Sequence, residues 1–456
     1  MIDATRWTDV LVELLPAHLV QQRWAGAHER SIESVSLMWL EVLATEEPHL
    51  AWSVVEAHFA DGGSQQYQVF IGARSTHPQP DFLEGKDHQR LGVLPEGDHE
   101  VVLYDALIDP DLAIAVLHLV TPDAEVVVRR PIVLEHSNSS VVFDESTIMK
   151  VFRKVEPGPN PDVEITRVLA ARGYPNVLPP LAELRRDGTD LAVVRSYLVE
   201  ATEGWDLART SVRDLLASRL PPEESGGDFA PESSRLGATV AGLHVAMAEA
   251  WGSAPGRPVV WADEMEAFLY TLARTDAPLS GRAPLDPDVV RGPFRAAAAL
   301  ADGGRQIRVH GDLHLAQVMK VDTGWIVLDF EGEPSRRRAD RFALSSPLRD
   351  VAGILRSLHY AAATGLAEWD LGDAQLVDLL AAWEERNRAA LLEGYLGHEG
   401  IEALLPSDPA DRNALLAAFE LDKAVYELSY ELAHRPDKVA IPLVGIERLV
   451  RGPVPT

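Results

Sequence analysis

His310-Gly311-Asp312-Leu313-His314-Leu315-Ala316-Gln317 and, twelve residues after that Gln, Asp329-Phe330-Glu331-Gly332 put a carboxylate, an amide and a second carboxylate on two short stretches. Between them, Val318-Met319-Lys320-Val321 and Trp325-Ile326-Val327-Leu328 flank Asp322-Thr323-Gly324, a turn signal. That spacing predicts a β-hairpin. A hairpin carries Gln317 and Asp329 to one end, with Asp312 on the loop just before it. So ordered, these groups suit phosphoryl transfer. Asp312 would be the base that takes a substrate hydroxyl proton. Gln317, through its neutral carbonyl oxygen, and Asp329 would hold Mg²⁺ between nucleotide phosphates. A lone H-x-D is weak evidence, because a buried Asp can simply satisfy loop amides. The whole ordered set at hairpin distance is strong.

Phosphates also need a cation on the strand-rich side. In the protein-kinase plan a strand Lys contacts them and pairs with a Glu on the next helix. Lys150, inside the run Ile148–Phe152, and Glu164 occupy those places. Arg153 and Lys154 fall just past the strand and read as solvated. Ser137-Asn138-Ser139-Ser140 stands where protein kinases carry a Gly-rich loop, and small hydroxyl residues can present donors to phosphates. Ser196-Tyr197-Leu198-Val199 would be the connector that hydrogen-bonds adenine. Asp350 either serves the dipole of the helix it opens or anchors the catalytic loop, and the motif order favours the anchor. Arg336-Arg337-Arg338 reads as a solvated loop.

The elements that must position these groups fall in two blocks. Residues 8–24 predict a helix, and Val35–Leu40, Leu50–Val55 and Tyr67–Ile71 predict strands. A polar loop around residues 75–80 marks the end of the first unit. A helix near Asp105–Leu119 leads to strands at Val126–Val128, Ser140–Phe143, Thr147–Phe152 and Leu191–Arg195, with a helix at Asp162–Arg172. From Thr202 the pattern turns helical, with 3.6-type spacing in Ser234–Ala250, Asp286–Ala301, Pro347–Thr364, Asp373–Leu396 and Asp408–His434. Ser346 as N-cap and Pro347 in the first turn start the third of these. The expected class is α+β, a bilobal protein-kinase-like fold. Its expected units are residues 1–90, 91–200 (the N-lobe) and 201–456 (the helical C-lobe).

The bulk numbers narrow the partners. A chain of 456 residues exceeds the usual single core. A net charge of −28 repels phosphate backbones and anionic lipid, which argues against nucleic acid. The chain has no cysteine, which excludes disulfides, thiolate catalysis and Cys-ligated zinc. No apolar run approaches the ~20 residues that span a bilayer, and the N-terminus has no export-signal pattern. The expectation is a soluble cytoplasmic protein, a monomer or small homo-oligomer.

Several stretches carry a closer resemblance: Glu135–Phe143, Lys150–Arg153, Asn160–Glu164, Gly226–Phe229, Val309–Gln317, Asp329-Phe330-Glu331-Gly332-Glu333-Pro334, Ser346–Gly353, Glu385–Ala390, Glu420–Glu427 and His434–Pro436. In this order, from about Gln22, the chain resembles the actinobacterial maltokinases, within the aminoglycoside-phosphotransferase-like kinases. The resemblance implies an extra N-terminal cap subdomain, here residues 1–90. It also implies ATP-dependent phosphorylation of maltose at its anomeric hydroxyl, a product that feeds α-glucan synthesis, and a functional link to trehalose synthase. Two positions depart from the pattern: Ala316 stands where Gly is expected, and Trp24-Ala25-Gly26 lacks a second aromatic.

The acceptor site would gather His310 and Asp312 from the loop with one face of the last long helix. There Leu421, Val425, Leu428 and Leu432 form a core stripe, and Phe419, Lys423, Tyr426, Glu427 and Tyr430 mix aromatic faces with hydrogen-bonding groups. That mixture suits a saccharide. The competing readings are a kinase of this fold acting on glucosamine, an aminoglycoside or an amino alcohol, and a catalytically dead binding module.

Overall fold

The computed structural model describes residues 4–26, 30–78, 80–96, 99–127, 132–135, 138–274, 286–333, 341–369 and 373–451. Ser137, Val128 and the Arg336-Arg337-Arg338 run lie outside the described residues. The chain divides into two compact units, residues 1–164 with 179–199 and residues 165–178 with 200–456.

In the first unit an antiparallel sheet runs in the order Ile32–Ala44, His49–Phe59, Ser64–Ser75, His99–Asp105, Arg90–Glu96, and Lys154–Val155 also pairs with the third of these strands. Strand Ser64–Ser75 shows why this sheet is buried on both faces. Tyr67, Val69, Ile71 and Ala73 join Trp7, Leu11, Leu15 and Leu19 of the helix Ala4–Gln21 in one core. Phe70 points the other way and stacks on Trp52 at 5.5 Å, within the core that takes Leu112 and Val116 of the helix Pro110–Val120. That helix starts on Asp109, whose carboxylate accepts from the Asp111 amide at 3.0 Å, with Pro110 as its first residue. A boundary at residue 90 therefore cuts a sheet that closes only at Asp105. The polar loop after Ser75 is an excursion, because the next two strands return to the sheet. The second sheet, Ala182–Arg186, Thr189–Ser196, Thr147–Val151, Ser139–Phe143 and Ile132–Glu135, supplies Val141, Phe143, Met149 and Val151 to the same core as Leu112.

Arg153 corrects the sequence reading. It is fully buried, donating to Asp105 Oδ2 at 2.5 Å and to Ser139 Oγ at 2.8 Å, with Trp24 4.8 Å away as a cation–π partner. Lys154 is exposed, as a solvated lysine should be.

His18 gives this unit a pH dependence. It is 3% exposed, and burial, with Arg153 adding to it against the pull of Asp105, lowers its pKa from 6.5 to about 4. The folded state resists the proton that the unfolded chain takes up below about 6.5. Stability should therefore be unaffected above that pH and fall as the pH drops toward about 4, by on the order of 3 kcal/mol in all. Thermal melts of wild type and His18→Gln across this window should show the steeper acid loss in wild type, and parallel curves would refute the assignment.

The second unit is mainly helical: Gly204–Ser218, Ala230–Trp251, Pro258–Ala273, Leu348–Glu368, Ala374–Leu396, Pro409–His434 and Ala440–Arg451 pack on one core. Strands Thr202–Glu203, Val318–Val321 and Gly324–Val327 form a small sheet against it. The helix expected over residues 286–301 is two pieces, Pro287–Val290 and Gly292–Ala298. Gly292-Pro293 explains the break, because a proline lacks the amide that would continue the ladder. No helix among the described residues is long and apolar enough to cross a membrane.

Candidate active site

The hairpin forms with Val321 opposite Gly324, and Gly324 has φ 140°, a conformation open mainly to glycine. At its open end the Leu328 amide donates to the Gln317 carbonyl at 2.9 Å. This sets the Gln317 side-chain nitrogen 3.3 Å from Asp329 Oδ2. Asp329 itself has φ 61°, rare for a residue with a Cβ, and such strain gathers at sites that need a group aimed. Ala316 has no positive φ, so the methyl that replaces the expected glycine costs nothing there.

One face of the helix Leu348–Glu368 holds the loop that carries Asp312. Asp350 accepts from the His310 amide at 2.8 Å and the Gly311 amide at 2.9 Å. Three residues on, a Cβ at Gly353 would lie 2.2 Å from the Leu313 carbonyl, so only glycine permits the approach. Ser357 Oγ then accepts from the Leu315 amide at 3.2 Å. Asp350 is also 3.1 Å from His244 Nε2, and His244 Nδ1 meets the Tyr395 hydroxyl at 2.9 Å. Burial pushes the Asp350 carboxyl up, but His244, His310 and the Gly311 amide outweigh it and hold it below the ordinary value.

His310 is not a sugar contact. It is 2% exposed, its Nε2 donates to the Leu328 carbonyl at 2.8 Å, and its ring lies 4.7 Å from Phe330. It ties the loop to the end of the hairpin.

Asp312 opens on a cavity of about 570 Å³, with Trp261, Phe268, Phe419 and Tyr426 among its walls. That volume is within the ~300–1,000 Å³ of small-molecule clefts. Lys423 donates to Asp312 Oδ1 at 2.9 Å and to Glu333 Oε1 at 3.3 Å, and its ammonium is 4.6 Å from the Tyr426 ring centre. Arg349 lies 3.7 Å from the other oxygen of Glu333. Burial pushes the Asp312 carboxyl up, yet Lys423, with His314 and His310, holds it below its ordinary value. Burial likewise opposes the Lys423 charge, but Asp312 and Glu333 prevail and raise its pKa. A carboxylate that stays ionised beside an open cavity can accept a hydroxyl proton.

The helix Pro409–His434 does not present its whole polar side to this cavity. Lys423 and Tyr426 line it, while Glu427 and Tyr430 do not. Glu427 turns to Arg356, which is 1% exposed and donates to Glu427 Oε2 at 2.6 Å. Tyr430 is 42% exposed and stacks on His434 at 4.4 Å. An arginine from a neighbouring helix thus makes an apparent sugar-binding carboxylate into part of the packing. Tyr426→Ala should raise the acceptor KM about tenfold while the ATP KM stays constant, as expected for one lost aromatic contact. Glu427→Ala should instead cost about 3–5 kcal/mol of stability by stranding Arg356. Steady-state kinetics and denaturant titration of both variants separate these effects, and the reverse pattern would put Glu427 back at the sugar.

In the first unit, Lys150 sits on the strand Thr147–Val151, opposite Ser140 on one side and Val193 on the other. Its Nζ is 3.6 Å from Asp162 Oδ2, which also receives Arg195 Nη1 at 2.8 Å. Asp162, at the start of the helix Pro161–Ala171, is a carboxylate the sequence reading passed over in favour of Glu164, which is half-buried two positions on. Asn138 is buried, Ser140 half-buried and Ser139 fully buried. Because Ser139 Oγ accepts from Arg153, that hydroxyl braces the hairpin and cannot face phosphates. Ser196 ends the strand Thr189–Ser196, and the Tyr197 amide donates to the Ser146 carbonyl at 2.8 Å. Leu198 is half-buried and Val199 exposed. Sequence reasoning also missed His314, Glu333, Arg349 and Trp261, although Glu333 stood in the motif after Asp329.

Residues 18–109 match the maltokinase N-terminal cap domain family. A glucosamine kinase of Streptacidiphilus jiangxiensis is 28% identical over 358 residues, 75% of this chain and 77% of that protein. A glucosamine kinase of Mycolicibacterium smegmatis is 26% identical over 343 residues, 71% of this chain and 79% of that protein. Among solved structures, a glucosamine kinase in complex with glucosamine, ADP and inorganic phosphate superposes with a TM-score of 0.64 at 22% identity, covering 98% of this chain and 99% of that one. A second glucosamine kinase structure, crystal form A, gives a TM-score of 0.68 at 21% identity, covering 98% of this chain and 97% of that one. The fold is therefore kinase-like, with strand-rich N-terminal sheets that include a cap and a helical C-terminal part.

Proposed function

We propose that the chain, a sugar kinase, transfers the γ-phosphoryl group of ATP to the anomeric hydroxyl of maltose, giving maltose 1-phosphate for α-glucan synthesis in the cytoplasm. The observation that carries this reading is the ionised Asp312 at the edge of an aromatic-walled cavity, on the loop that leads into the Gln317–Asp329 pair. The cap match supports maltose as the acceptor.

Phosphoryl transfer depends mainly on positioning and charge neutralisation. Asp312 orients the sugar hydroxyl and takes its proton as the new P–O bond forms and the bond from the γ-phosphorus to the β–γ bridging oxygen breaks, with ADP leaving. Lys423 keeps that carboxylate ionised and fixed. The sugar's C–H faces rest on Trp261, Phe419 and Tyr426, which keep bulk water from the reacting end. Gln317 and Asp329 both offer hard oxygen donors, a fit to Mg²⁺. Bound there, the ion would offset the phosphate charge. Lys150, braced by Asp162, contacts the α/β-phosphates. The Ser196–Val199 connector offers backbone groups to adenine.

Asp329→Ala should damage metal and nucleotide use together, because Gln317 alone brings no charge to a metal site. The ATP affinity of the variant, titrated against Mg²⁺, should need several-fold more of the ion. An unchanged Mg²⁺ dependence would point to another ligand.

A second reading, glucosamine as acceptor, is favoured by the names of the two relatives that span most of the chain. Incubation with ATP, Mg²⁺ and either maltose, glucose or glucosamine decides between them. The phosphorylated carbon, located by NMR, should be C1 of maltose. Turnover of glucosamine alone would overturn the maltose reading, and ATP use without any sugar would overturn both.

A further inference from the structure

Two carboxylates stand at the reacting end of the cavity, and both are already matched. Lys423 lies between Asp312, at 2.9 Å, and Glu333, at 3.3 Å. Arg349 approaches the second oxygen of Glu333 at 3.7 Å. A third carboxylate in the wall, Asp350, has its oxygens committed to the His310 and Gly311 amides and to His244. Glu264 and Asp422 line the cavity as well, so the match is local: Lys423 and Arg349 balance Asp312 and Glu333 at the reacting end.

We propose that Lys423 determines acceptor specificity: its ammonium neutralises the Asp312–Glu333 end of the cavity, so the site takes neutral sugars and rejects those with an ammonium beside the reacting hydroxyl. The inference rests on the reading of Asp312 as the base. A hydroxyl held by Asp312 brings the substituent of the adjacent carbon next to the same carboxylate, and so next to Lys423. A hydroxyl in that place can accept from Lys423, whose three donors meet only two carboxylates here. An ammonium in that place has no lone pair to accept with. It meets a like charge in a half-buried site where water screens little. The same Lys423 would have drawn a cationic sugar in had it been neutral, because Asp312 would then stand unmatched while Glu333 kept Arg349.

Glucose and glucosamine differ only in the group on C2, and they isolate this effect. Their binding should be measured by calorimetry on the full chain with ADP and Mg²⁺, so the result does not depend on which sugar is turned over. Wild type should bind glucose at least about tenfold more tightly than glucosamine, the penalty of one unrelieved like-charge contact. Lys423→Met should lower that ratio about tenfold or more, and Lys423→Arg should preserve it. Glu333→Gln should raise it, a shift in the opposite direction that a misfolded Lys423→Met protein could not mimic. Equal or tighter glucosamine binding by wild type would overturn the proposal. So would a ratio unmoved in Lys423→Met, a fall in Glu333→Gln, or no binding of either sugar. Failure of the maltose reading is a separate result: no phosphorylation of maltose by a wild-type protein that still prefers glucose to glucosamine.

Discussion

Asp312→Asn should lower kcat by ~10²–10⁴, the range for loss of a positioned general base, while ATP and Mg²⁺ still bind within a few-fold of wild type. Asparagine keeps the shape of the side chain and can still accept from Lys423, and Glu333 remains to hold that ammonium. The variant should therefore fold, and a thermal melt beside the kinetics establishes that it has. Retained turnover in the folded variant would remove Asp312 from the mechanism. The pH profile carries the same argument with a definite sign. The active form is the carboxylate, and Lys423 with the two histidines holds its pKa below the ordinary 3.8 against the effect of burial. Protonation of Asp312 should thus cost no activity through the neutral range, and should matter only as the pH falls below about that ordinary value. In Lys423→Met the strongest of those lowering charges is gone and burial is left less opposed. The acid limb of kcat/KM should then move up in pH, and a limb that stays or moves down would contradict the pairing.

What could be read from the sequence was local. The hairpin was legible because Asp322-Thr323-Gly324 separates two apolar runs, and everything that places Gln317 against Asp329 lies within those residues. The pairing of Lys423 with Asp312 joins positions 111 residues apart, and no periodicity in either segment encodes it. The helix Pro409–His434 shows a related limit. Its leucine stripe marks an inward face, but the helix is enclosed on more than one side, and Glu420 and Glu431 are as buried as Leu421. Arg388 reaches Glu420 at 2.8 Å and the Tyr360 hydroxyl reaches Glu431 at 2.9 Å, so a polar residue there does not mean an outward one. Glu427 was misread for that reason. Arg153 failed in the same way: a charge past the end of a strand looks solvated unless its partners, Asp105 and Ser139, are known to converge on it. The domain boundary failed differently, because a polar loop marks the end of a strand but not whether the chain returns to the same sheet.

Asp350→Ala should give the largest combined loss of stability and rate, although Asp350 itself would do no chemistry. Removing the carboxylate leaves the His310 amide, the Gly311 amide and His244 Nε2 without their acceptor in a buried place. A stranded buried group costs about 1–3 kcal/mol, and breaking a buried pair from one side about 3–5 kcal/mol. A loss of about 3–5 kcal/mol is therefore expected for the helical unit. The freed loop should let Asp312 drift, and a displacement near 1 Å can cost ~10²-fold in rate. Asp350→Asn retains one carbonyl oxygen for an amide and should fall between wild type and alanine on both measures. The pattern separates anchoring from general destabilisation. At a temperature where the variants remain folded, kcat should fall while the KM for ATP holds, because the Lys150 strand does not depend on Asp350. The Gly311 amide should lose its protection from hydrogen exchange well before the core amides of the helix Leu348–Glu368 do. If Asp350→Ala instead kept wild-type kcat and Gly311 protection, the carboxylate would only be serving the dipole of its own helix, and the loop that carries Asp312 would be held by Gly353 and Ser357 alone.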